Sequence, residues 1–249
     1  MKLRSAALTD VGLRRRANED RYAVAPELGL YLVADGMGGH SAGQVASELA
    51  VQAAVNALET LAGTSAGLTD KLRYSVAAAN REILSVAQAK PELAGMGTTL
   101  VALLTAGERV ALAHVGDSRA YLVRAGRIRQ LTDDHSLVAE LVRRREISEL
   151  AARGHPHRHV LTRALGVHRN VEPDLVELTP AAEDVFVLCS DGLTGGVQDE
   201  EIAEVVSCED DLDTACRRLV EVANARGGED NITVLAVRCD KDDAPAEAE

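Results

Sequence analysis

The order of helical and strand patterns is the feature that most constrains the fold of this chain. Apolar or small residues recur with helical spacing over residues 42–61, and a second helical pattern over 68–90 ends near Pro91. From 97 to 131 the pattern changes to short β-type runs separated by glycine-containing breaks. Because two helices followed by a strand meander do not alternate as βαβ units do, we predict an antiparallel α+β layered domain.

The second half of the chain continues this mixture of helices and strands. The patterns predict a helix from Ser136 to about Arg145, strands at 171–178 and 184–189, a helix at 211–226 and a last strand at 231–238. Asp211 stands in a polar segment with no apolar strand before it, so we interpret it as the cap of the helix that follows.

Acidic residues stand at the ends of several apolar strands. An Asp-Gly or Gly-Asp pair closes such a strand three times, and two further acids stand directly before one; the five are Asp20, Asp35, Asp117, Asp191 and Asp230. One such pair is an ordinary turn signal. Strand ends in a layered domain can converge, however, and converging carboxylates repel one another unless a cation neutralises them. Oxygen ligands without cysteine or ordered histidine favour Mg²⁺ or Mn²⁺ over zinc.

Length, composition and charge indicate the number of domains and the location of the protein, and they argue against some kinds of binding. The chain has 249 residues and is 46% apolar, which predicts one domain over residues 1–239, followed by a disordered acidic tail at 240–249. No apolar run is long enough to span a bilayer and no secretory signal opens the chain, so we expect a cytoplasmic protein without membrane contact. The net charge of −12, with four Tyr, one Phe and no Trp, argues against nucleic-acid binding. The four cysteines show no C-x-x-C spacing, so we expect buried, reduced thiols.

A series of motifs along the chain resembles the type 2C metal-dependent Ser/Thr protein phosphatases, most closely their bacterial branch. The motifs are RRRANED (14–20), VADGMGGH (33–40), GTT (97–99), HVGDSRAYL (114–122), LTDDHSLV (131–138), HPHRHVLTRALG (155–166), LCSDGL (188–193) and DNITVL (230–235). Each motif alone is weak evidence, but the ordered set covers residues 3–239. The resemblance implies a four-layer α-β-β-α sandwich, in which two antiparallel sheets are flanked by helix pairs and metal ions lie at one edge of the sheets.

The same resemblance implies a set of metal ligands. Asp35 would bridge two divalent ions, Mn²⁺ or Mg²⁺, and the Gly36 carbonyl would bind one of them. Asp191 and Asp230 would complete the first ion's protein ligands, and Asp117 would help to hold a weaker third ion.

Three further residues receive roles from the resemblance. Glu19 and Asp20 would act mostly through bound waters. Arg15 would bind the substrate phosphate, and we choose it over its two arginine neighbours because of its spacing to Asp20. On an extended strand, Arg16 would face the opposite way.

The implied reaction is direct hydrolysis of phosphoserine and phosphothreonine. A hydroxide that bridges two metal ions would attack phosphorus in line, without a phosphoenzyme, and the ions and Arg15 would stabilise the developing charge. Met37 stands where eukaryotic members carry a histidine proposed as general acid. His40, another residue or a metal-bound water would then supply the proton.

The chain lacks the motifs of two other classes of phosphoryl-transfer protein. No G-x-x-x-x-G-K-[ST] loop exists, and no cysteine is followed six positions later by arginine, so P-loop NTPases and cysteine phosphatases are excluded. A catalytically silent, phosphoprotein-binding regulator on the same fold stays open.

The histidine- and arginine-rich segments allow two interpretations each. His155, His157 and His159 alternate as in a zinc face, but the resemblance places them in a flap beside the metals. Arginines 143–145 suit the end of a helix or contact with an acidic phosphoprotein. The expected partners are phosphorylated proteins, namely Ser/Thr kinases and their targets, and we expect a monomer.

Overall fold

Two antiparallel sheets form the centre of the computed structural model, which describes residues 2–38 and 42–240. In spatial order, the first sheet contains β1 (Leu3–Asp10), β11 (Ile232–Cys239), β10 (Val185–Cys189), β7 (Arg119–Arg124) and β8 (Arg127–Gln130). The second contains β2 (Asp20–Ala25), β3 (Leu30–Met37), β5 (Leu100–Ala106), β6 (Arg109–Val115) and β9 (Asp174–Leu178). The short strand β4 (Gly97–Thr98) pairs with the end of β3.

Helices cover the outer faces of both sheets. The helices α1 (Ala42–Thr60) and α2 (Leu68–Ala89) pack on the second sheet, and α6 (Asp199–Cys208) and α7 (Leu212–Ala225) pack on the first. Shorter elements are a 3-10 helix (Pro91–Leu93), α3 (Leu137–Arg143), α4 (Glu149–Arg153) and α5 (Asp191–Thr194). Helices α3 and α4 belong to the long connection between β8 and β9, which we call the flap (residues 137–165).

Strand β10 shows how the sequence produces three apolar layers. Successive side chains of a strand point to opposite faces of the sheet. Val185, Val187 and Cys189 therefore pack in the layer with α6 and α7, whereas Phe186 and Leu188 face the other sheet. A third layer lies between the second sheet and helices α1 and α2. The α-β-β-α sandwich implied by the resemblance is confirmed.

Helix α1 turns a row of small residues toward the second sheet. Ala46 and Ala50 are completely buried, and Ala42 and Ala54 are nearly so. Because alanine side chains are small, the helix can lie close to β3. This contact places the start of α1 beside the end of β3, where the candidate site lies.

Most predicted elements are present, with shifted boundaries. The helix predicted over 211–226 runs from Leu212 to Ala225, and the Asp211 side chain caps it by accepting a hydrogen bond from Thr214 N at 2.9 Å. The strand predicted at 171–178 begins only at Asp174. Strand β1 and helix α6 were not predicted. The sequence of β1, LRSAALTD, lacks a clear apolar alternation, in keeping with a strand that is mostly only partly buried.

The cysteines are free, but the expectation of burial is wrong for one of them. Cys189, Cys216 and Cys239 are buried, whereas Cys208 is exposed at the end of α6, where its side chain leaves the core-facing side of the helix. No helix among the described residues is both long and apolar enough to cross a membrane. Residues 241–249 of the predicted tail lie outside the described part of the chain, and the domain boundary stays a prediction.

Candidate metal centre

The candidate site is a cleft of about 350 Å³ where strand ends from both sheets meet. Antiparallel pairing brings the start of β2, the end of β3 and the end of β6 to one edge, and the end of β10 and the start of β11 lie at the adjacent edge of the other sheet. The predicted site residues that line this cleft are Arg15, Glu19, Asp35, Gly36, Asp117, Asp191 and Asp230. Residues separated by up to 215 positions in the sequence therefore share one small volume.

Asp35 is held through its backbone, which leaves its carboxylate for the cleft. Its N–H donates to Thr99 Oγ1 at 2.9 Å, and its carbonyl accepts from Thr98 Oγ1 at 2.8 Å and from Thr99 N at 2.9 Å. The hydroxyls of Thr99 and Ser118 lie 2.7 Å apart. The GTT motif thus links the end of β3 to the turn that carries Asp117.

Gly36 lies where no side chain fits. A Cβ atom there would overlap the backbone carbonyl of Gly43 and lie 2.7 Å from Glu19 O. In the reverse direction, a Cβ at Gly43 would lie 2.8 Å from Gly36 O. The two glycines allow the first turn of α1 to pack directly on the end of β3.

Asp20 lies opposite Asp35 in the β2–β3 pair and is almost completely buried, at 1% exposure. Its Oδ2 accepts hydrogen bonds from Ser190 Oγ and Thr233 Oγ1, both at 2.7 Å. Its Oδ1 has no hydrogen-bond partner among the described residues, and the same is true of Asp191 Oδ1. An unpaired buried carboxylate oxygen is costly, so these atoms point to a missing cationic or water partner.

The carboxylates of the cleft raise one another's pKa values. Burial is the largest cause of the high pKa of Asp35, and the charges of Asp20 and Asp191 add to it. Burial followed by the charge of Asp191 raises the pKa of Asp117, and burial followed by the charge of Asp230 raises that of Asp191. The pKa of Asp20 rises to about 7. A protein without cations would have to protonate part of this cluster or bear its repulsion.

This donor set fits hard divalent cations. Its atoms are carboxylate and carbonyl oxygens, which Mg²⁺ and Mn²⁺ prefer. Within residues 2–38 and 42–240, no group of three or more His, Cys, Asp or Glu side chains is arranged so that it could hold a metal ion. Binding through one or two carboxylates and several waters, which is usual for Mg²⁺, does not require such a group.

Arg15 forms an ion pair with one of the acids of the cleft. Its guanidinium lies 2.6 Å from Asp230 Oδ2, and its side chain is about half exposed. Asn231 fixes the loop that carries it: Asn231 Nδ2 donates to Val11 O at 2.9 Å and Ala17 O at 3.0 Å, while its Oδ1 accepts from Glu19 N at 2.8 Å.

The expectation that Arg16 faces away from Arg15 is not supported. It assumed an extended strand, but residues 12–14 form a turn and 16–17 a bend, and Arg16 also lines the cleft. Spacing to Asp20 alone therefore did not distinguish the two side chains, whereas the ion pair with Asp230 does.

The flap reaches the cleft through His159. Its Nδ1 lies 4.0 Å from Asp191 Oδ2. The rings of His155 and His157 lie beside each other, with centroids 5.6 Å apart. Met37 lines the cleft next to Gly36. His40, the proposed proton donor, lies outside the described residues.

Several residues that shape the site received no role in the sequence analysis. They are Thr98, Thr99, Ser190, Asn231 and Thr233, which hold the acids or their backbone in place. Ser190, Asn231 and Thr233 share a motif with a predicted ligand, whereas Thr98 and Thr99 belong to the GTT motif, which contains none. Their contacts with Asp20, Asp35 and Glu19 join residues 63 to 213 positions apart, so only the fold reveals them.

Comparison with known proteins places the chain among phosphatases. A family model described as Protein phosphatase 2C matches residues 12–232. The serine/threonine phosphatase stp of Listeria monocytogenes is 44% identical over 237 residues, which cover 93% of this chain and 94% of that protein.

Solved structures agree with this similarity. The Mycobacterium tuberculosis serine/threonine phosphatase PstP/Ppp has a TM-score of 0.87 at 41% identity, covering 96% of this chain and 99% of that one. A crystal structure of the PstP catalytic domain in complex with two manganese ions has a TM-score of 0.85 at 41% identity, with the same coverage.

Proposed function

This chain belongs to the protein phosphatase 2C family and is a metal-dependent serine/threonine protein phosphatase, and we propose that the acids of the cleft hold its metal ions. The observation that carries the proposal is the convergence of the partly buried Asp35, Asp117 and Asp191 in one cleft beside Arg15. A catalytically silent regulator is not supported, because the similar proteins are named as phosphatases.

The proposed ligands follow from their positions in the cleft. Asp35, the Gly36 carbonyl, Asp191 and Asp230 would hold two Mn²⁺ or Mg²⁺ ions, and Asp117 would contribute to a third. When bound, two such ions lower the pKa of a water molecule, so that hydroxide is available as a nucleophile near neutral pH. Glu19 and Asp20 would act through water, since Asp20 is buried behind the cleft rather than lining it.

Arg15 has the position and chemistry to bind the phosphoryl group. Its planar guanidinium offers several N–H donors, which suit two phosphate oxygens at once. In the structure it pairs with Asp230, so we propose that it orients the substrate phosphate at the edge of the metal centre. No assignment of the proton donor follows from the described residues.

The substrates are phosphorylated proteins, in keeping with the family. We propose that they include Ser/Thr kinases and the targets of those kinases, and that the protein acts as a monomer with one catalytic domain over residues 1–239. Cytoplasmic location stays a prediction.

Hydrolysis of a phosphothreonine peptide with and without metal tests the activity. We expect turnover in Mn²⁺, loss of turnover in excess EDTA, and recovery when Mn²⁺ is added back. Correctly folded protein that releases no phosphate in Mn²⁺, or that releases it equally well in EDTA, would contradict the proposal.

A further inference from the structure

A buried histidine holds the turn that carries Asp117, although it does not line the cleft. His135 Nδ1 accepts a hydrogen bond from Gly116 N at 3.0 Å, and His135 N donates to Gly116 O at 2.8 Å. The side chain of His135 is only 5% exposed. His135 thus forms hydrogen bonds with both the N–H and the carbonyl of Gly116, the residue directly before Asp117.

The other ring nitrogen of His135 fixes its orientation. Nε2 lies 3.1 Å from Asp174 Oδ2 on β9, and Asp174 also pairs with Arg163 of the flap at 2.5 Å. Because a backbone N–H can only donate, Nδ1 must be the acceptor. Nε2 then carries the ring proton and donates a hydrogen bond to Asp174. Burial lowers the pKa of His135, which favours this neutral ring.

A second histidine supports the ring from the side. His114 on β6 is completely buried, and its ring centroid lies 4.6 Å from that of His135. Burial lowers the pKa of His114 to about 4, so this ring too is neutral at physiological pH. The two rings and Asp174 form a cluster just behind the Asp117 turn.

The Asp117 turn has a conformation that only glycine fits at position 116. Gly116 has a φ of +111°, which other residues rarely adopt, and a Cβ there would lie 2.5 Å from Thr99 Cγ2. The partly buried Asp117 carboxylate is repelled by Asp191. A hydrogen bond to Gly116 opposes the displacement of the turn that this repulsion favours.

We propose that His135 is a positioning residue for Asp117: it holds Gly116 so that the Asp117 carboxylate faces the metal cleft, and Asp174 fixes the ring in the required tautomer. This inference rests on the proposed assignment of Asp117 as a metal ligand. The essential contact is Gly116 N–H to Nδ1, since it restrains the turn directly.

Two substitutions separate the roles of the two ring nitrogens. Asparagine places its amide oxygen near the position of Nδ1, so His135→Asn keeps an acceptor for Gly116. Glutamine reaches toward the position of Nε2, so His135→Gln keeps the contact with Asp174 and loses the one with Gly116. Mn²⁺ binding measured by calorimetry, with melting in EDTA as the check of folding, compares these variants with Asp117→Asn.

We expect His135→Gln to weaken the weakest Mn²⁺ site by roughly 10-fold, as is typical of residues that orient a ligand, and His135→Asn to stay within about 3-fold of the parent. In the Asp117→Asn background, His135→Gln should cause no further loss, because the ligand it positions is gone. Parent-like binding by His135→Gln, or additive losses in the double variant, would overturn the inference.

Asp117→Asn separates the test of His135 from the test of Asp117 as a metal ligand. If Asp117→Asn leaves every Mn²⁺ site unchanged, the assignment of Asp117 fails and the inference fails with it. If Asp117→Asn weakens a site but His135→Gln does not, only the inference fails. Should His135→Gln not fold, Asp174→Ala removes the acceptor that fixes the tautomer; a loss of about 3-fold at the same site supports the inference, and unchanged binding overturns it.

Discussion

The acids of the cleft destabilise the metal-free protein, but together they form the proposed metal site. Asp35 and Asp191 are partly buried. This burial raises their pKa values, and neighbouring carboxylates raise them further. Folding brings these groups together because apolar strands end beside them and hydroxyl or backbone donors hold them. The clustered negative charges therefore favour the binding of cations, because the protein's own groups do not neutralise them.

Substitution of Asp191 tests this requirement at a single side chain. We expect Asp191→Asn to reduce turnover by more than the roughly 10–100-fold that outer-sphere residues typically cost, because it removes a proposed ligand. The same change removes a repulsive charge, so the melting temperature in EDTA should rise or stay constant. Phosphopeptide kinetics and thermal melting measure the two effects.

Asp213→Asn is the matched control, since Asp213 is exposed in the first turn of α7. It should keep parent-like turnover. Near-parent turnover by Asp191→Asn would show that the metal assignment is wrong.

The pKa of Asp20 gives the metal-free protein a characteristic pH dependence. Its folded pKa of about 7 exceeds its ordinary value of 3.8, so the folded state binds the extra proton. The stability contributed by this group is fully present below pH 4 and is lost as the pH rises through about 7. In EDTA the melting temperature should therefore fall between pH 5 and pH 8.

Asp20→Asn should make that fall shallower, because asparagine does not ionise and still offers an oxygen to Ser190 and Thr233. Melting curves of both proteins in EDTA across this pH range provide the comparison. Parallel pH dependences would contradict the account of Asp20.

At the scale of elements, the contact between α1 and β3 depends on Gly36. We expect Gly36→Ala to destabilise the protein by about 1–3 kcal/mol in EDTA, because its Cβ would overlap the Gly43 carbonyl. Urea unfolding without metal separates this packing effect from any role in ion binding.

Gly154→Ala serves as the control for that packing effect. Gly154 has a φ of −98°, and a Cβ there meets no atom within 4 Å. Its free energy of unfolding should stay within about 0.5 kcal/mol of the parent. Equal losses in the two variants would exclude the overlap as the cause.

The elements that could be predicted are those with a strong apolar pattern. Strand β10 is buried on both faces, and the pattern over 184–189 located it within one residue. Strand β1 escaped prediction because it lies at a sheet edge and includes polar Ser5 and Thr9. Its place is decided by pairing with β11, more than 220 positions later, which local sequence does not encode.

At the scale of the whole molecule, the site exists because two sheets end at the same place. The acids could be predicted since each marks the end or the start of an apolar strand. The supporting contacts could not, because Asn231 contacts Val11 and Ala17 through the pairing of β11 with β1, which joins distant parts of the chain. His135 likewise gains its role from three elements that meet around one ring.

Truncation after Asp240 tests whether the described domain is sufficient. Strand β11 ends at Cys239, which pairs with Leu3, and Asp240 forms an ion pair with Arg4 at 2.8 Å. A protein ending at Asp240 should keep its melting temperature within about 2 °C and its turnover within about 2-fold, because the sequence predicts a disordered tail at 240–249. A large loss of either would place residues 241–249 within the functional domain.

The central claim is that the acids of one cleft bind the metal ions of a phosphatase. Crystals grown with Mn²⁺ and measured at the manganese absorption edge show directly where the ions lie. We expect anomalous peaks in the cleft, in contact with Asp35, Asp191, Asp230 and the Gly36 carbonyl. Manganese bound elsewhere, with these oxygens left without an ion in protein that hydrolyses phosphopeptides, would contradict it.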